Sequence, residues 1–211
     1  MIRRKNKSRF LLIGSFLVFI GLSIFASYNI YNYYSNKKDE KTANNFIEDL
    51  KSQKDNNLNV DNIEVDNKSN NKIENKNNYI GVLEIPTIDF KRGFFDIENR
   101  QNTVDKNIEV LINSDMPDIT NGILAIAAHS GSGRTAYFKN LYKLKADDEI
   151  FVYYGNAKYI YKVNKNYEVD KNGIIDITRD IEQTTLVLTT CSKDKSKQIV
   201  IMAYLFDKEN F

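Results

Sequence analysis

The sequence predicts a mainly β fold, a barrel or sandwich set behind one N-terminal membrane helix, and three observations predict it. Residues 10–26 (FLLIGSFLVFIGLSIFA) carry no charge and follow a flank whose only charges are basic. Residues 36–78 turn to Asn, Lys, Asp and Glu, with no Pro or Gly. From residue 79 onward, short runs dense in Ile, Val, Leu, Tyr and Phe are separated by polar turns, with no regular strand–helix alternation. That last texture argues for antiparallel or mixed β structure over a doubly wound sheet.

The flank, residues 1–9, holds Arg3, Arg4, Lys5, Lys7 and Arg9 and no acid. Such a flank stays in the cytoplasm, and residues 10–34 follow as a transmembrane signal-anchor. The 17 uncharged residues of 10–26 would span about 26 Å as a helix against a hydrocarbon core of ~30 Å. Tyr28, Tyr31, Tyr33 and Tyr34 extend the span through the interface. A cleaved signal peptide is the rival, but its apolar region is usually ~7–15 residues long. Everything after the anchor is then extracytoplasmic.

Residues 35–78 read as a flexible Asn/Lys-rich tether, because little apolar surface is present to offset the entropy of ordering the chain. Phe46, Ile47 and Leu50 have the spacing for one or two helical turns within it. Residues 79–211 form the folded domain. Strands are expected at 79–85, 122–128, 149–154, 158–163, 184–190 and 198–205, on length and β-branched or aromatic enrichment. Short helices are expected at 103–112 and 137–144, and the loops 96–103 and 164–183 are candidate walls of a site.

Composition narrows the chemistry. Of 211 residues, 42% are hydrophobic and 27% charged, which excludes a fully disordered chain, a collagen-like chain and a many-span membrane protein. A single Cys closes no intramolecular disulfide, and one Cys with one His builds no zinc site of the Cys/His-rich kind. Asp147, Asp148 and Glu149 read as a solvated turn, so neither a metal nor a cofactor is expected. The net charge of +2 points to no nucleic-acid partner, and without the five basic residues of the flank it becomes +2 − 5 = −3.

The scarce residues carry the chemistry. His129 ends one apolar run just before Ser130-Gly131-Ser132-Gly133, and Cys191 ends another just before a polar loop. Sites are commonly built where strand ends meet loops. A free thiol in an exported domain is a liability unless it reacts, and an imidazole beside it can shuttle protons for a Cys nucleophile.

With these residues the sequence resembles the sortases, membrane-anchored cysteine transpeptidases of Gram-positive bacteria, over roughly residues 79–205. Val187-Leu188-Thr189-Thr190-Cys191 fits their T-L-x-T-C signature at every position but the first. Ala127-Ala128-His129 falls where the family has its histidine, and Ile85-Pro86-Thr87-Ile88 fits the I-P-x-I element of its opening strand. The separation of His129 and Cys191 is similar to that of compact members, with little room for the additional helix of class B. The resemblance implies a sortase-type closed antiparallel or mixed β-barrel with short helices. It further implies that Cys191 and His129 are catalytic, and that the enzyme cleaves an L-P-x-T-G-like sorting signal of surface proteins through a thioester. A peptidoglycan precursor or a pilin amine would take the acyl group.

One departure matters. The family pattern carries an arginine on the last strand, for the oxyanion or for positioning the peptide, and Gln198 stands there. Gln198, its neighbour Lys197 and Arg134 in the glycine-rich loop are the candidates for that role. The missing arginine also admits an inactive sortase-like barrel serving as a membrane-anchored binding or scaffold module. An L,D-transpeptidase also has His before Cys, but wants a Ser-x-Gly-Cys-x-Arg run that Thr189-Thr190-Cys191-Ser192-Lys193 lacks.

Overall fold

A computed structural model describes residues 3–57, 78–172, 175 and 177–211, with side chains from residue 10 onward and, in the N-terminal helix, as far as residue 52. The chain divides into two compact units, Met1–Lys38 and Asp39–Phe211. Helix α1 runs Arg3–Asn57. Its part in the first unit carries the apolar stretch, which is long enough to cross a membrane and is not buried against protein.

The second unit is built on eight strands. They are β1 (Gly81–Ile85), β2 (Phe90–Phe94), β3 (Glu109–Val110), β4 (Ile123–Ala127), β5 (Glu149–Tyr154), β6 (Ala157–Asp170), β7 (Thr185–Cys191) and β8 (Lys197–Asn210). They form one sheet in the order β2-β1-β5-β6-β8-β7-β4-β3, antiparallel throughout except for the parallel pair β4–β7. All six expected strands are present. β5 and β6 join through a two-residue turn in which Gly155 takes the left-handed φ of 56° that a tight hairpin favours. β6 shifts register against β8 between Ile160 and Tyr161 and again between Val163 and Lys165. Such irregularities bend a strand and raise its twist, which curls the sheet.

One face of the curled sheet makes the core. Leu83 and Ile85, Ile150 and Val152, Leu124 and Ile126, Leu186 and Leu188, and Ile199 and Ile201 all enter it, each pair spaced by two as the strand period requires. The sheet nearly closes on itself. Between edge strand β2 and the segment leading into β3, the Asn107 side chain donates to the Gly93 carbonyl (2.8 Å) and accepts from Arg92 Nε.

The structure departs from several expectations. Residues 39–57 are helix, and Ala43, Phe46, Ile47 and Leu50, spaced i, i+3, i+4 and i+7, pack on Val82, Tyr153 and Tyr79. Arg92 Nη1 reaches Asp39 at 2.7 Å, and Lys91 reaches Asn44. That stretch is a docked amphipathic helix where a tether was expected, and residues 58–77 lie outside those described. The helix expected at 103–112 is a set of turns followed by β3, and of 137–144 only Leu141–Lys143 is helical, as a 3₁₀ helix that follows turns at 137–140. Both segments are too short to offset helix nucleation, and pairing with the free edge of β4 satisfies the first. Residues 164–170, expected in a loop, belong to β6. β2 escaped the sequence reading because Phe90-Lys91-Arg92-Gly93-Phe94 looks like a loop, and its buried arginine is offset by Asp39 and Asn107.

Candidate active site

The site begins with a register. Every β4–β7 pair, from Ile123 with Thr185 to Ala127 with Thr189, is offset by 62 residues. Beyond the strand, Ala128 N donates to the Thr189 carbonyl (3.2 Å) and Thr190 Oγ1 donates to the Ala128 carbonyl (2.7 Å), so the alignment continues. His129 and Cys191 have the same offset. His129 follows the end of β4 by two residues and Cys191 ends β7, so the shared offset carries both to the same end of this parallel pair.

The faces follow from the alternation. Ala128 and Leu188 lie in the core, so His129 and Cys191 face the other side of the sheet. Gln198 is the antiparallel partner of Cys191, and Val169 is the partner of Gln198. Cys191 and Gln198 thus share one face as a β7–β8 pair, and the alternation of β4, continued two residues past Ala127, turns His129 to that face. Below them on the same face lie Thr189, Val187, Val200 and Met202, all buried.

The hydrogen bonds hold these residues from outside. Phe138 N donates to the His129 carbonyl at 3.0 Å, which closes the loop carrying Gly131 and Gly133 back onto the histidine. His129 Nε2 lies 3.1 Å from Asp105 Oδ1, with 42% of the imidazole and 82% of the carboxylate exposed. Lys171 Nζ lies 3.5 Å from Cys191 Sγ. The thiol itself is partly exposed. On the far side of the turn, Ser192 N donates to the Lys197 carbonyl and Ser192 Oγ to Glu168.

Of the residues singled out in the sequence, His129, Cys191 and Gln198 come together. Lys197 pairs with Asp170 one position along β8, so alternation turns it away from the face of Gln198. Arg134 is exposed, and its charge acts on the Tyr137 phenol. Burial pushes that phenol up from its ordinary value, and Arg92, stacked 3.8 Å from the ring, pulls against the shift. Arg179 is committed to the other end of β7, where it donates to the carbonyls of Gln183 and Asn121. Asp105 and Lys171 had no sequence signal: each is one polar residue among many, 24 and 20 positions away from the residue it meets.

A thiol, an imidazole and an amide donor on one face over a buried apolar floor can perform acyl transfer from an extended peptide. Among solved structures, the chain is similar to Sortase A from Corynebacterium diphtheriae, lid mutant (23% identity, TM-score 0.55, covering 61% of this chain and 70% of that one). It is also similar to a Clostridium perfringens Sortase D5 transpeptidase (19%, 0.57, 80% and 98%) and to Streptococcus pneumoniae Sortase C (19%, 0.56, 82% and 97%). At these identities the likeness concerns the fold. A search of curated proteins finds no match in sequence. The family model described as "Sortase domain" matches residues 83–206, more than half of the chain. With that match reaching from β1 into β8, the chain belongs to the sortase family.

Proposed function

We propose that this sortase is an active cysteine transpeptidase with Cys191 as nucleophile and His129 as its proton carrier. What supports the reading is the β4–β7 register, whose offset His129 and Cys191 share at one end of the pair, with Gln198 across from Cys191 on β8. Cys191 Sγ attacks the scissile carbonyl carbon of an L-P-x-T-G-like sorting signal. The C–N bond breaks, the amine leaves with a proton from the His129 imidazolium, and a thioester remains. An amine of the cell wall or of a pilin then attacks the thioester and gives its proton to His129, and the thiolate departs. Gln198 donates a neutral N–H to the oxyanion in each half. The basic flank holds the N-terminus in the cytoplasm and the barrel outside.

The test uses the full chain in detergent with a sorting-signal peptide, with and without an amine acceptor. Cleavage, a thioester adduct on Cys191 by mass spectrometry, and acceptor-dependent product are expected, all lost in Cys191→Ala. Cleavage persisting in Cys191→Ala would sink the assignment. The neutral residue at position 198 favours one rival, an inactive barrel that binds without turnover, and a bound peptide with no adduct would establish it.

A further inference from the structure

We infer that Lys171 supplies a positive charge at the Cys191 sulfur, which the neutral Gln198 does not bring, and so acts as a catalytic residue of the transpeptidase reaction. This rests on the reading of Cys191 as nucleophile. Three observations support it independently of one another. The Lys171 ammonium lies within hydrogen-bond distance of Sγ, at 3.5 Å. Its backbone fixes that direction: Val169 shares the site face through its partner Gln198, and Lys171 is two residues further, on the same face by strand period. Lys171 N also donates to the Ser196 carbonyl at 2.7 Å, which pins the residue beside the turn that follows Cys191.

Two other cations near this end of the barrel are directed elsewhere. Lys197 turns to the opposite face and Lys193 lies over the Tyr142 ring, 4.9 Å from its centroid. The ionisable groups around the thiol are His129 with Asp105 behind it on the β4 side, Glu168, Asp170 and Lys171 at the end of β6, Lys193, Asp194 and Lys195 in the turn after β7, and Lys197 at the start of β8. Asp194 accepts from Ser196 N and Oγ, which holds its carboxyl below the usual range and leaves it an anion. Gln198 contributes no charge.

In this arrangement the part of Lys171 is electrostatic, and proton transfer is left to His129. The Lys171 ammonium favours the thiolate before attack and again when the thioester is resolved, since both states place negative charge on sulfur. The amide of Gln198 serves the oxyanion from the neighbouring strand. Two side chains thus divide what one guanidinium does with charge and donors combined.

Cys191 is the one cysteine of the chain, so alkylation by iodoacetamide reports on it alone. With the full chain in detergent, Lys171→Met should slow alkylation at neutral pH by about tenfold and move the pH profile of alkylation to the alkaline side. Peptide turnover should fall by a similar factor, less than the ~10²-fold of a lost oxyanion donor because Lys171 is exposed. Lys171→Arg should restore most of both. Lys193→Met, which removes the same charge nearby, should match the parent chain. Alkylation and turnover of Lys171→Met within twofold of the parent, or an equal loss in Lys193→Met, would overturn the inference. Lys171-dependent alkylation without any peptide turnover would instead refute the transpeptidase reading and leave Lys171 in place as the thiol's partner.

Discussion

Gln198 stands directly across the β7–β8 ladder from Cys191, on the face that carries the thiol. An amide at this position has two N–H donors and no charge. It can follow an oxyanion as it forms, but it gives a resting thiolate less than a guanidinium would. If Cys191 is the nucleophile as proposed, charge at the sulfur has to come from elsewhere, and Lys171 beyond the end of β6 is the ammonium in contact with it.

Replacing Gln198 with Ala should lower kcat by about 10²-fold with little change in KM, the usual effect of removing one oxyanion donor. Steady-state cleavage of a sorting-signal peptide reads this directly. Gln198→Arg should retain or raise kcat, and a fall in that variant as large as in Gln198→Ala would show that the position does not face the oxyanion.

The Asp105–His129 contact should matter little by comparison. With 82% of the carboxylate exposed, its attraction for an imidazolium is screened by water and salt. Asp105→Asn should cost less than about tenfold in kcat/KM, and the difference should shrink as ionic strength rises. His129→Gln should reduce turnover to background at every ionic strength.

Phe46→Ala tests whether residues 39–52 are docked. Phe46 is 5% exposed and packs edge-on against Tyr79, whose ring occupies the space a side chain at Gly93 would need. Its loss should destabilise the second unit by about 3–5 kcal/mol in urea unfolding. A free tether would show no change.

Tyr161 is fully buried in the barrel core, and its hydroxyl has no hydrogen-bond partner among the described residues. Tyr161→Phe should stabilise the domain by about 1 kcal/mol, since it removes an unpaired polar group and keeps the ring. Burial pushes the Tyr161 and Tyr153 phenols well above their ordinary value, with Glu84 adding to the shift at Tyr153. Both contributions to stability are therefore complete below about pH 10, the unfolded value, and are lost above it, as the unfolded chain ionises first. Unfolding followed from pH 8 to 12 should show that decline, and it should be shallower in Tyr161→Phe.

The strands that pair by hydrophobic alternation were legible in the sequence, and so was the amphipathic spacing of Phe46, Ile47 and Leu50, although its length of helix was not. β2 was not legible, because the acceptors that make a buried Arg92 tolerable come from Asp39 and Asn107, distant in sequence. The helices expected at 103–112 and 137–144 failed for a similar reason. Local propensity in a segment of that length is weak, and the free edge of β4 decides the conformation of the first.

By itself the sequence determined the apolar anchor, a mainly β domain, and the two residues whose chemistry is scarce enough to stand out, His129 and Cys191. These are properties of composition and short-range pattern, which survive without knowledge of pairing. Only the tertiary structure decided that β4 and β7 pair in the 62-residue register that also separates His129 from Cys191, and that Gln198 rather than Lys197 shares the face of Cys191. It alone brought Asp105 and Lys171 to the pair. Register and face are set by which strands pair and by the period of two, and a shift of one residue would have exchanged Gln198 for Lys197.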